Sequence, residues 1–146
     1  MPKLSAARMW ASVPAAALCL AVSWIHVQDQ GGFPGNKTPA YVAAGYYLLE
    51  AAGVIAAGLL LLAARRGARA LPVWLLAACV GIGPLVGYVL SRGPGLPDYS
   101  DDKGNWAEPL GLVSLVVEAA LIAISLTVLR TAGGGARGQQ LRAGAN

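Results

Sequence analysis

Apolar residues along the chain gather into four runs, Met9 to Val27, Ala40 to Ala64, Leu71 to Leu90 and Pro109 to Leu129, parted by short segments rich in Gly, Pro and charge. Each run holds about 20 residues, enough for an α-helix to cross a hydrocarbon core about 30 Å thick. The pattern predicts an all-α polytopic membrane protein, with four transmembrane helices in an up-down bundle over residues 1–130. Residues 131–146, rich in Gly, Arg and Gln, read as a disordered cytoplasmic tail.

Composition supports this class. At 56 % hydrophobic and 12 % charged residues, with a mean hydropathy of +0.57, a chain of 146 residues has too little polar surface to coat a water-soluble domain. The first run also resembles a secretory signal, since Lys3 and Arg8 precede Ala15, Ala16 and Ala17. Cleavage after Ala17 would leave a short apolar region, while the hydrophobic stretch continues through Trp24 and Ile25. A lipoprotein signal at Cys19 fails because Leu18 is bulky where a small residue is required. A retained first helix is expected.

The basic residues orient the bundle. Lys3, Arg8, Arg65, Arg66, Arg69, Arg130, Arg137 and Arg142 fall on one side of the four-span arrangement, and Lys37, Arg92 and Lys103 on the other. That bias predicts both termini in the cytoplasm of a multi-pass plasma-membrane protein. Asp29, Asp98, Asp101, Asp102 and Glu108 all lie on the opposite, outer side. The basic pI then reflects anchoring to anionic lipid, and nucleic acid is not expected as a partner.

Two acids break the apolar pattern: Glu50 and Glu118 each sit about ten residues inside a membrane run. A carboxylate near mid-bilayer costs roughly 2.5–3.5 kcal/mol by insertion scales, so each needs a partner, a proton or a function. Helical rise puts Glu50 about 15 Å below Ala40 and Glu118 about 14 Å below Pro109, at similar depth. Tyr46 and Ser114 precede them by four positions, one turn above on the same face, and Tyr88 and Arg92 share that relation on the third helix. Stacked by depth, these residues predict an outward-facing polar funnel: His26, Arg92 and Glu108 at the rim, Tyr46, Tyr88 and Ser114 below, Glu50 and Glu118 at the floor. Beneath the floor Ala51 to Ala64 is wholly apolar, and Ser125 and Thr127 are expected to bond to their own helix backbone, so the funnel is closed below. Arg92 reaches only about 7 Å and is expected to pair with Glu108.

The plainer reading makes the glutamates interhelical glue, a protonated carboxyl bonding to another or to a tyrosine. Gly83, Gly87 and Ser91, and Gly53 with Ala57, read as small-residue ridges for close helix packing. Pro84 is expected to kink the third helix and turn the Val80 carbonyl toward the funnel. Trp24, Trp106, Tyr41 and Tyr99 read as an interfacial aromatic belt. Asp98, Asp101 and Asp102 do not follow an EF-hand, since Lys103 stands where the turn glycine is needed. His26 has no second strong metal ligand, no CxxC motif is present, and neither metal nor cofactor is expected. The two hairpins, joined by ARRGARALP, read as a degenerate parallel repeat.

The strings HVQDQGGFPGNKTPAYVAAGYYLLE and GPLVGYVLSRGPGLPDYSDDKGNWAEPLGLVSLVVE resemble a family of small four-span integral membrane proteins from actinobacteria whose activity is uncharacterised. The likeness implies the four-span architecture and is silent on activity. Two functions therefore stand side by side: binding or transport of a small polar or cationic ligand, or a proton, at the two glutamates; or a structural accessory subunit, its small-residue ridges meeting another membrane protein or a second copy. An enzyme is the less favoured reading, because no nucleophile with an adjacent base, no metal cluster and no phosphate loop is visible.

Overall fold

The computed structural model describes the backbone of residues 3–66 and 71–143, with side chains over 10–66 and 71–132. It contains four helices: α1 (Lys3–Asp29), α2 (Ala40–Arg66), α3 (Leu71–Arg92) and α4 (Pro109–Ala143). All four include stretches long and apolar enough to cross a membrane. The protein is thus an all-α, multi-pass membrane protein, and the even helix number puts both termini at one end of the bundle. The opposite end, carrying the connections 30–39 and 93–108, is called the loop end below.

α4 continues beyond the expected boundary at Leu129, and its helix runs through the segment expected to be disordered as far as Ala143. No proline interrupts that segment, and Ala, Arg, Gln and Leu are strong helix formers.

Local chemistry sets the helix ends near the site. α1 stops in a Schellman turn: the Gly32 amide donates to the Val27 carbonyl at 2.8 Å and the Gly31 amide to Gln28 at 3.0 Å. Gly31 occupies the left-handed position this turn requires, with φ 87°. α4 opens on Pro109, preceded by Glu108, whose carboxylate accepts the Leu110 amide at 3.0 Å and the Gly111 amide at 2.6 Å. An anionic cap at a helix N-terminus satisfies free amides and complements the macrodipole.

α1 packs on α2 and α3 on α4, and the two hairpins close through α1–α4 and α2–α3 contacts, with a smaller α1–α3 contact across the middle. α2 and α4 do not meet. Toward the termini the centre is filled by Ala15, Ala16 and Cys19 of α1, Ala56, Ala57 and Leu60 of α2, Trp74 and Ala77 of α3, and Leu121 of α4. In lipid, where helix association expels little water, such small residues hold helices together by close packing. A side chain at Gly53 would run into Ser23 and the Cys19 carbonyl, so the α1–α2 approach depends on glycine there. Toward the loop end the α2–α4 diagonal stays open, and a cavity occupies it.

Candidate functional site

The cavity has a volume of about 350 Å³, within the roughly 300–1,000 Å³ typical of small-molecule sites. Its apolar wall includes Ile25, Val42, Leu49, Pro84 and Leu110. Seven of the eight residues expected to form the funnel line it: His26, Tyr46, Tyr88, Arg92, Glu108, Ser114 and Glu118. Glu50 does not.

Glu118 is the deepest acid of the wall, 1 % exposed. One oxygen, Oε1, accepts the Ser114 hydroxyl one turn above, as the four-residue spacing predicts. The other, Oε2, is buried with no hydrogen-bond partner. Unpartnered buried acceptors are costly, and in a cavity they mark a place where a donor fits. The sole other such side-chain atom among the described residues is Ser125 Oγ, in the packed half of the bundle. This departs from the expected backbone bond, which Thr127 does make to the Ala123 carbonyl at 2.7 Å.

Glu50 is held elsewhere. Its Oε1 accepts a 2.7 Å hydrogen bond from Gln30 Nε2, and its backbone carbonyl lies 3.0 Å from the Ser23 hydroxyl. The shared floor of two glutamates is thus replaced by one glutamate in the cavity and one clasped between α1 and α2. Tyr46 is also diverted, its hydroxyl donating to Asp29 and not standing over Glu50. The cause is the level at which α1 ends, two residues beyond the expected Val27: its last residue, Asp29, and Gln30 of the Schellman turn lie beside α2, where they intercept both side chains. Gln30 is 1 % exposed and pinned from above by the tight turn at Gly35. Asp29 lies three residues after His26 on one helical face, the sequence signal that could have drawn it into the site.

The rim is denser than the spacing implied. Arg92, 7 % exposed, pairs with Glu108 at 3.5 Å as expected. It also donates to the Asn105 carbonyl at 2.9 Å, lies 3.8 Å from Asp102, and stacks 3.9 Å from the Tyr88 ring centroid. Tyr88 turns its hydroxyl to the Trp106 carbonyl at 2.6 Å. His26 Nδ1 lies 2.9 Å from the Val22 carbonyl, which assigns its proton to that nitrogen, and its ring packs against Tyr46.

Connection 93–108 folds across the mouth, adding Leu96, Tyr99 and Asp102 to the wall. Tyr99, read from sequence as part of an aromatic belt, is buried instead, its hydroxyl donating to Asp102 at 2.9 Å. Burial, reinforced by that carboxylate, raises its pKa above the ordinary 10.0. Tyr41 ties the same connection to α2 through the Pro97 carbonyl at 2.6 Å. Lys37 completes the rim, 3.3 Å from Asp29 and 3.5 Å from the Tyr99 hydroxyl. The funnel is therefore covered at the loop end.

The glycines also sort differently from expectation. Gly53 and Gly81 make close helix contacts, but Gly83 and Gly87 line the cavity with open space where a side chain would stand. Pro84 is in the wall within an α3 that continues to Arg92, and Val80 belongs to the packed core. Four carboxylates, Asp29, Asp102, Glu108 and Glu118, and one guanidinium, Arg92, line the cavity, together with four tyrosines. By charge that set favours a cation, while the Tyr46 and Tyr88 rings already carry Lys37 and Arg92. Among the described residues no three of His, Cys, Asp and Glu are placed to share a metal ion.

Comparison with known proteins gives no match to any family model, any curated protein or any solved structure.

Proposed function

We propose that this protein binds a small organic cation in the cavity between its helices, with Glu118 as the acceptor, and that it does so in the plasma membrane with the loop end outside. The observation carrying the reading is that Glu118, a residue of the cavity wall, holds a buried Oε2 with no hydrogen-bond partner. An ammonium there supplies both the missing donor and the compensating charge that an intramembrane carboxylate needs. In the empty protein a proton on Oε2 serves the same end, so cation and proton compete for one oxygen, as a proton-coupled carrier would require. The excess of carboxylates over basic groups in the cavity wall attracts the cation. Glu50, bonded to Gln30, keeps the role of interhelical glue.

The test is calorimetric titration of the full chain in phosphatidylcholine nanodiscs with phenethylammonium, using empty discs to subtract partitioning. Saturable binding is expected, weakened at least tenfold by Glu118→Gln and little changed by Glu50→Gln. Equal affinity of Glu118→Gln and the unaltered protein would overturn the reading.

A further inference from the structure

The cavity is covered at the loop end and closed by packed core toward the termini, yet three residues of its wall are exposed: Tyr41 and Gly45 on α2 and Gly83 on α3. All three lie along the seam between these two helices. Helical rise sets Gly45 about 7.5 Å below the start of α2 at Ala40, and Gly87 and Gly83 about 7.5 and 13.5 Å below the end of α3 at Arg92. The glycines, all in the wall of one cavity, therefore share a common range of depth within the apolar spans. Apart from the adjoining residues and backbone of the same helix, no heavy atom lies within 4 Å of the position a β-carbon would take at Gly45, Gly83 or Gly87. α2 and α3 touch elsewhere along their length, but beside these glycines the seam is open, and within apolar spans such an opening faces the acyl chains of the bilayer.

We propose that the ligand is a lipophilic amine carrying a hydrocarbon chain, and that it enters sideways from the bilayer through the α2–α3 seam; this rests on Glu118 being the cation acceptor. Such an amphiphile partitions into the membrane with its ammonium near the interface, at the level of the seam's upper part. The head slips between Gly45 and Gly87, where no side chain bars the way, and meets the unpartnered Oε2 of Glu118. The chain lies back along Gly83, Pro84 and Leu49 and continues into lipid. A cavity of about 350 Å³ holds the head and the first part of such a chain, and the gap frees the rest from having to fit.

The test uses the full chain in phosphatidylcholine nanodiscs and two probes, dodecylammonium and phenethylammonium, with affinities corrected for partitioning into empty discs. Dodecylammonium is expected to bind at least tenfold tighter. Gly45→Leu and Gly83→Leu, which fill open space at the seam, are expected to erase that advantage. A dodecylamine with a mid-chain diazirine should crosslink, in the unaltered protein, to α2 and α3. Crosslinks confined to α1 and α4, or an undiminished advantage in both leucine variants, would overturn lateral entry. Loss of both probes in Glu118→Gln with no effect of the leucines would overturn it while leaving the cation reading intact; unchanged binding in Glu118→Gln would instead defeat the cation reading.

Discussion

Gln30 and Glu50, twenty residues apart in sequence, are joined by a 2.7 Å hydrogen bond from the amide of one to the carboxyl of the other, at the point where α1 ends against α2. The bond separates the two intramembrane glutamates into different roles, since Glu50 is satisfied by protein and one oxygen of Glu118 is not.

This bond gives the first prediction. Gln30→Leu removes the donor from a buried acceptor and is expected to lower stability in detergent by about 0.6–2 kcal/mol, the range for interhelical hydrogen bonds in membranes. Glu50→Gln, close in volume and still able to accept, should lose less than half as much. Thermal melts of both variants check the ranking, and a reversed order would mean that Gln30 is not the partner that matters.

Arg92 is a structural hub. Arg92→Ala strips partners from Asp102, Glu108 and the Asn105 carbonyl together and is expected to cost about 1.5–3 kcal/mol, as for lost hydrogen bonds to charged groups. Arg92→Lys should restore only part of this, because an ammonium cannot span the same set of acceptors. Full stability in Arg92→Ala would show that the rim contacts are solvated and weak.

Glycines of equal composition should respond oppositely. Gly53→Ala forces α1 and α2 apart at Ser23 and Cys19 and should destabilise by about 1–3 kcal/mol. Gly83→Ala enters open space and should be neutral or stabilising by about 0.5–1 kcal/mol from helix propensity alone. Similar losses in both would mean that the α2–α3 seam is packed.

Tyr99 predicts a pH dependence. Its folded pKa is raised by burial and by the Asp102 carboxylate, so its contribution is complete below the ordinary value near 10 and is lost as pH rises above it. The melting temperature should fall more steeply between about pH 9.5 and 11 in the unaltered protein than in Tyr99→Phe. Parallel declines would place the titrating group elsewhere.

Orientation is tested in intact cells. In a Cys79→Ser background, Ser100→Cys should react with an impermeant thiol reagent, and Arg66→Cys only after the membrane is opened. The reverse pattern would put the loop end, with Asp29, Arg92 and Glu108, in the cytoplasm.

The four spans, their hairpin pairing and the contacts one helical turn apart were legible in the amino-acid pattern. Ser114 meets Glu118 and Arg92 stacks on Tyr88 because α-helical geometry places residues four apart on one face whatever surrounds them. Burial of the two glutamates was legible for the same local reason, since each stands mid-run in an apolar helix. Tertiary structure alone decided which partners they took. The Schellman turn ends α1 short of the start of α2, and that offset hands Gln30 to Glu50 and Asp29 to Tyr46, a relation no periodicity records. It also folded Tyr99 inward and divided the glycines into those that seat a neighbouring helix and those that face a gap. Equivalent residues in a sequence become contact or opening only when the helices choose their distances, and that choice is made by the packing of all four.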